Sequence, residues 1–173
     1  MFILLKVAAA ICIFSSVSAS AAHEHSAHIH GHAELTIVID KGNVDLNLIA
    51  PAESLLGFEY KVTTPEEALK VSAMKKHLSE HKNVIHFNSG ECQIKHVNIN
   101  SSDMLNDDHH EHPHAEISIN YQFHCPKANE ISSATLKLFK HYNKLKKIYA
   151  VWLTSSQQGS IVLDDKNTKI NFQ

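Results

Sequence analysis

Three segments of the chain alternate apolar and polar residues with a period of two, and this pattern constrains the fold more than any other feature. The segments are AELTIVI at 33–39, VDLNLI at 44–49 and AEISINYQF at 115–123. A period of two places successive side chains on opposite faces of a β-strand, so each segment has one face for a core. Lys41-Gly42-Asn43 is a turn signal between the first two segments and predicts a β-hairpin.

A helix and further strands complete the predicted architecture. Thr64-Pro65-Glu66-Glu67 is a helix start, with proline at the first helical position and acids in the first turn, and the helix should run to about Lys82. The other predicted elements are strands at 84–87, 92–100, near 134–138 and 148–153, a short helix at 139–145, and a terminal hairpin of 160–163 with 169–172. The sequence therefore predicts an α+β fold with a mostly antiparallel β-sheet, one long helix and one short helix.

The first 21 residues have the features of a secretory signal peptide. An apolar run from Phe2 to Phe14 carries Lys6, and small residues follow it. The run is too short to span a bilayer, and small-x-small patterns predict cleavage after Ala19 or Ala21. We therefore expect an exported, periplasmic protein whose mature chain does not insert into the membrane.

Two cysteines remain after this cleavage, Cys92 and Cys125. An even pair in an exported chain predicts a disulfide rather than a metal thiolate site. If the strand that follows Cys92 pairs antiparallel with the strand that ends at Cys125, the two residues lie opposite each other at the open end of a hairpin, whose tip is the loop at 101–111. Closing a loop of about 33 residues should stabilise the fold by roughly 3–4 kcal/mol.

Composition limits the domain organisation and the partners. Roughly 150 residues remain after cleavage, which is enough for one domain with its own core. We expect a flexible histidine-rich arm over residues 22–32 and a single α+β metal-binding domain over residues 33–173. The formal net charge is −2 and there is no arginine, so nucleic acid is not an expected partner.

The histidines of this chain are clustered. The chain has 15 histidines among 173 residues, and the pattern H-x-H-A-E occurs twice, as HGHAE at 30–34 and HPHAE at 112–116. Each copy begins an alternating strand, and residues i, i+2 and i+4 share one face of a strand. We therefore expect two ladders of metal ligands. The first ladder is His28, His30, His32 and Glu34, and the second is His112, His114 and Glu116.

If the two strands lie side by side, imidazoles from both ladders can converge on one ion. Three or four neutral imidazoles with a carboxylate form a tetrahedral site that suits Zn(II), with other divalent transition metals such as Cu(II) and Ni(II) as competitors. Sulfur is absent from both clusters, which argues against a soft Cu(I) site. We expect weaker, secondary ligands in the polar segments nearby, namely His23, His25, Asp107, Asp108, His109, His110 and Glu111.

Other histidine patterns favour structural interpretations. His77 and His81 are spaced i, i+4 on the predicted helix, but they lie among lysines on its polar face, which favours a solvated surface over a chelate. Residues 110–114 satisfy H-E-x-x-H, yet Pro113 is incompatible with the helix that a metalloprotease needs. The remaining histidines are expected at surface or satisfied structural positions: His86, His96, His124 and His141.

Several segments together resemble a known family. They are HIHGHAEL at 28–35, Pro51, LLGFE at 55–59, HAE at 114–116 and YQFHC at 121–125. Over essentially the whole mature chain the sequence resembles the ZrgA-type periplasmic zinc-uptake proteins of Gram-negative bacteria. The resemblance implies zinc acquisition outside the cytoplasmic membrane alongside an import system. The sequence departs from the family pattern at Tyr60, where the family has a histidine after G-F-E.

The function predicted from the sequence is reversible zinc capture for uptake, without catalysis. The expected partners are the zinc ion and a component of a zinc import system. Three alternatives stay open at this point: zinc buffering or storage, a structural module in which zinc orders the histidine-rich arm, and a zinc hydrolase with Glu34 as its general base.

Overall fold

The computed structural model describes residues 29–105 and 115–172. The predicted signal peptide at 1–21 and residues 22–28 of the predicted arm lie outside the described residues. The helices are α1 (Ala52–Leu56) and α2 (Pro65–Ser79). The strands are β1 (His32–Asp40), β2 (Asn43–Pro51), β3 (Ile85–Phe87), β4 (Gln93–Asn100), β5 (Glu116–His124), β6 (Ser133–Leu136), β7 (Lys147–Thr154), β8 (Gln158–Leu163) and β9 (Lys169–Asn171).

Six of these strands form one large sheet in the order β4-β5-β2-β1-β7-β8. β1 and β2 form the predicted hairpin, with Asp40 opposite Asn43 at its turn. β1 also pairs in parallel with β7, with His32 beside Lys147. The other four strand pairs of this sheet are antiparallel, so the prediction of a mostly antiparallel sheet is confirmed.

One face of the large sheet packs against α2 and a second sheet with the order β3-β6-β9. Phe87 of β3 meets Phe123 of β5 edge-on, with ring centroids 5.5 Å apart. On the helix side, the hydroxyl of the buried Tyr121 donates to the Leu78 carbonyl oxygen at 2.6 Å. The odd-numbered residues of β1 and β5 are buried in this core, while the even-numbered ones lie on the opposite face.

The ends of α2 follow from local chemistry. The N–H of Glu67 donates to the Thr64 hydroxyl at 3.2 Å, and the Glu67 carboxylate accepts from the Thr64 N–H at 3.0 Å, which forms a capping box. The helix ends at Ser79, short of the predicted Lys82, because Glu80 leaves the helical region with φ −86° and ψ 88°.

Cys92 and Cys125 form the predicted disulfide. Gln93 of β4 pairs with His124 of β5, so the two cysteines lie immediately beyond the open end of this hairpin, with their Cα atoms 4.1 Å apart. The predicted tip at 101–111 is described only up to Leu105, and it includes a 3-10 turn at Ser102–Met104.

Two predictions for the C-terminal part are wrong. The terminal hairpin does not form, because β8 pairs with β7 whereas β9 joins β6, where Ile170 and Phe172 are buried. The region 139–145 contains a 3-10 turn at Leu138–Lys140 rather than a helix, and the short helix is α1. The α+β class with one long and one short helix is confirmed. Within the described ranges, no helix is long and apolar enough to cross a membrane.

Candidate metal centre

The first H-x-H-A-E segment bends at Gly31 instead of running as one continuous strand. β1 begins at His32, whose N–H donates to the Ile29 carbonyl oxygen at 3.0 Å. Gly31 has φ +79°, in the left-handed region that favours glycine. The predicted ladder is therefore wrong for His30, because the strand period does not pass through this turn, and only His32 and Glu34 share a strand face. We call residues 29–32 the His30 turn.

Hydrogen bonds to two other parts of the chain hold Gly31 in place. Its N–H donates to the Ser54 hydroxyl of α1 at 3.0 Å. Its carbonyl oxygen accepts from the N–H groups of Lys146 and Lys147 at 2.7 and 3.0 Å. A Cβ at this position would lie 3.0 Å from the Lys144 carbonyl oxygen, so the close approach also requires glycine. The His30 turn is thus fixed between α1 and the start of β7.

Glu59 brings a carboxylate to the His30 turn. Gly57 follows and caps α1; it has φ +87° and donates its N–H to the Glu53 carbonyl oxygen at 2.9 Å. Two residues later, the carboxylate oxygens of Glu59 lie 3.1 and 3.2 Å from Nε2 of His30. The Glu59 side chain is 18% exposed and that of His30 is 55% exposed, so the pair lies at the surface. An imidazole nitrogen and a carboxylate are both ligand types that zinc uses.

The second H-x-H-A-E segment reaches the same glutamate through its backbone. The N–H of Ala115 donates to the Glu59 carbonyl oxygen at 3.3 Å, and the Ala115 carbonyl oxygen accepts from the Ala52 N–H at 2.8 Å. Glu59 therefore contacts the first segment with its carboxylate and the second with its carbonyl oxygen. His114 directly precedes Ala115 in the sequence and lies outside the described residues.

The strands that carry the two segments are not neighbours. β2 lies between β1 and β5, with Ile49 opposite Glu34 and Pro51 opposite Glu116. The expected side-by-side arrangement is wrong because β2 uses both of its edges, which separates the two backbones by roughly 10 Å. Both strands are antiparallel to β2, so their first residues lie at the same end of the sheet.

His32 has a nitrogen without a hydrogen-bond partner among the described residues. The ring packs edge-on against Tyr149, with centroids 5.5 Å apart. Its Nδ1 is buried, and no group in residues 29–105 or 115–172 forms a hydrogen bond with it. An unsatisfied buried polar atom costs roughly 1–3 kcal/mol, so this nitrogen is a candidate for a bound ligand.

The described residues contain part of the predicted ligand set. Within them, no three histidine, cysteine, aspartate or glutamate side chains lie close enough together to hold a metal ion. His30 lies beside Glu59, His32 and Glu34 lie on β1, and Glu116 begins β5. The other predicted ligands lie outside the described residues: His28, His112 and His114, and the secondary set His23, His25, Asp107, Asp108, His109, His110 and Glu111.

Comparison with known proteins establishes the family. The family model described as ZrgA family zinc uptake protein matches residues 27–172, which include both H-x-H-A-E segments and Glu59. The chain belongs to the ZrgA family. The resemblance seen in the sequence is thereby confirmed, while no curated protein matches the chain.

Glu59 is a candidate ligand that the sequence patterns did not indicate, although it lies in a segment that carries the family resemblance. The LLGFE segment at 55–59 ends in this acid, which was the available signal. However, positions 30 and 59 are 29 residues apart, and no strand or helix period connects them. Their contact depends on α1 and on the turn at Gly57, so it becomes visible only in three dimensions.

Tyr60, which directly follows the G-F-E segment, is hydrogen-bonded to α2. Its hydroxyl donates to the Glu67 carboxylate at 2.9 Å, and its ring lies 5.1 Å from that of Phe58 between centroids. The hydrogen bond to Glu67 raises the pKa of Tyr60, so the phenol stays protonated at neutral pH. A protonated phenol held by another carboxylate does not replace a histidine ligand.

His77 and His81 do not form a chelating pair. His81 lies beyond the end of α2, in the turn His81–Asn83, and its ring packs edge-on against Phe123 at 5.4 Å. His77 stacks on His141 instead, with ring centroids 3.7 Å apart. Both side chains are half-buried, so the fully solvated helix face expected for them is wrong, and burial lowers the pKa of both His77 and His81.

Proposed function

We propose that this protein captures Zn(II) reversibly outside the cytoplasmic membrane and passes it to a component of a zinc import system. The family to which the chain belongs, described as zinc uptake proteins, supports the proposal. The zinc ion is cargo, and the proposal assigns the protein no catalytic step. The principal ligands are His30, Glu59, His112 and His114, with His28, His32, Glu34 and Glu116 as further donors.

The position of Glu59 is the single observation that supports this ligand set most directly. Its carboxylate lies 3.1 Å from Nε2 of His30, and its carbonyl oxygen accepts from the N–H of Ala115, the residue after His114. One residue therefore contacts both histidine segments. Ligands from two distant parts of the chain can then share one ion even though their strands are not adjacent.

The donor chemistry suits zinc. The proposed set consists of imidazole nitrogens and carboxylate oxygens without a thiolate, since Cys92 and Cys125 are joined to each other. Zinc bound at Nδ1 of His32 would also supply the partner that the described residues do not provide. Cu(II) and Ni(II) bind the same donors and are the expected competitors.

The remaining polar histidine segments extend the proposed function. We assign to the secondary set a weaker, first capture of zinc before transfer to the principal site. The set is His23, His25, Asp107, Asp108, His109, His110 and Glu111.

The signal peptide at 1–21 would deliver the chain to the periplasm, and the Cys92–Cys125 disulfide is typical of proteins in such an oxidising compartment.

Zinc affinity should fall at least roughly tenfold when the pH is lowered from 7.5 to 5.5. An imidazole must be deprotonated to bind a metal, and an ordinary histidine titrates near pH 6.5, so protons compete with zinc below about that value. Competition against a chromophoric chelator at both pH values measures the change, and circular dichroism checks that the protein stays folded. Equal affinity at the two pH values would mean that imidazoles are not the ligands.

A further inference from the structure

Two histidine rings outside the proposed zinc ligands stack on each other between α2 and the chain that follows β6. The ring planes of His77 and His141 differ by 10°, and their centroids are 3.7 Å apart. Nδ1 of His77 lies 3.0 Å from the hydroxyl of the buried Tyr142. The lone pairs of these rings lie in nearly parallel planes and do not converge on one point, so this is not the geometry of a metal chelate.

The chain from 141 to 147, here called the 141–147 segment, connects this stack to the His30 turn. The carbonyl oxygen of Tyr142 accepts from the N–H of the buried Leu145 at 3.1 Å. The next two N–H groups, of Lys146 and Lys147, donate to the Gly31 carbonyl oxygen at 2.7 and 3.0 Å. Only a few residues therefore separate His141 from the hydrogen bonds that hold Gly31.

The groups around His77 determine which charges can balance a protonated stack. From the 141–147 segment, His141 and Tyr142 face it, and burial followed by the charge of His141 lowers the pKa of His77. Burial raises the pKa of Tyr142, so this phenol brings no negative charge that could balance two imidazolium rings. Two positive rings at this distance repel each other, which disfavours the doubly protonated stack. The other ionisable groups near this end of α2 are Lys76, Glu80, His81 and Lys82.

We propose that the His77–His141 stack is a positioning contact for the His30 turn that opens in acid and promotes zinc release. The inference rests on the proposed zinc function. While the rings are neutral, the stack holds the 141–147 segment against α2, and the segment holds Gly31 between His30 and His32. When both rings are protonated they separate, and Gly31 is held less firmly. Acid then acts on bound zinc through the ligands and also through this remote contact.

His141→Gln tests the contact in the zinc-free protein, because it keeps a polar side chain and removes both the stacked ring and the second charge. Amide hydrogen exchange of Lys146 and Lys147 is measured at pH 7.5 and 5.5 and corrected for the intrinsic rates. The native protein should lose protection at pH 5.5, whereas His141→Gln should already show the lower protection at pH 7.5 and should lose little more at pH 5.5. His86→Gln, at an exposed histidine of β3, is the matched control and should behave like the native protein. Equal losses of protection in His141→Gln and the native protein would overturn the proposal.

Zinc titration of the same variant measures the consequence for release. His141→Gln should bind zinc more weakly than the native protein at pH 7.5, because the stack is absent, and its further loss of affinity at pH 5.5 should be smaller by about threefold. A loss equal to that of the native protein would overturn the coupling between the stack and zinc release. If the native protein binds no zinc at all, the proposed function fails, while hydrogen exchange still decides whether the stack holds the His30 turn.

Discussion

Glu59→Gln is expected to weaken zinc binding on the order of a hundredfold at pH 7.5. The substitution keeps the size of the side chain and removes the negative charge beside Nε2 of His30, 3.1 Å away. It therefore removes a carboxylate ligand and also the group that orients this imidazole. Competition titration with a chelator of known affinity measures the loss.

Glu66→Gln is the matched control for this effect. Glu66 is also a surface glutamate, and it pairs with Lys70 at 3.0 Å on α2 rather than with a histidine. Its substitution should leave zinc affinity within about twofold of the native value, because exposed ion pairs contribute little. Native affinity in Glu59→Gln would show that Glu59 neither binds zinc nor positions a ligand.

Replacing both cysteines of the disulfide should lower the free energy of unfolding by roughly 3–4 kcal/mol. The bridge closes a loop of 33 residues and therefore restricts the unfolded chain. Chemical denaturation of Cys92→Ser/Cys125→Ser beside the native protein measures the loss. A reductant should lower the stability of the native protein to a similar level and leave that of the double variant unchanged.

The same double variant should separate stability from zinc binding. Cys125 follows the last residue of β5, whereas Glu116 is the first, so the bridge and the proposed metal centre lie roughly 30 Å apart along this strand. Zinc affinity at 25 °C should therefore change little in the folded double variant. A stability loss below about 1 kcal/mol would contradict the entropic account of the bridge.

Local patterns were sufficient to predict the elements that form between close neighbours in the sequence. The alternation in 33–39 and 44–49, with the turn at Lys41-Gly42-Asn43, predicted the β1-β2 hairpin, and the alternation in 115–123 predicted β5. Thr64 and Glu67 predicted the start of α2 because a capping box is a local arrangement. The positions of Cys92 and Cys125 predicted the disulfide once their strands were paired.

Pairing between distant strands could not be predicted in the same way. The turn between β8 and β9 exists, with the N–H of Asp164 donating to the Asn167 carbonyl oxygen at 3.0 Å, but the two strands enter different sheets. The choice depends on burial of Ile170 and Phe172 against the rest of the core, which no local pattern encodes. The parallel pairing of β1 with β7 is also a property of the whole fold.

The candidate site was predicted in its residue types and only partly in its geometry. The two H-x-H-A-E segments indicated His30 and His32 as ligands. The predicted ladder assumed a continuous strand, which the left-handed conformation of Gly31 interrupts. The adjacency of the two segments was expected through strand pairing, whereas the structure connects them through Glu59. A glycine between two histidines was the local signal that the ladder could break.

Calorimetric zinc titration of the mature protein beside two paired variants tests most directly whether both histidine segments serve one zinc site. The variants are His30→Ala/His32→Ala and His112→Ala/His114→Ala, each of which removes the histidines of one segment. If the segments share one ion beside Glu59, the same tight site should be lost in both variants. Independent and additive losses, with each variant keeping the site of the other segment, would contradict the shared centre and indicate two separate chelating segments.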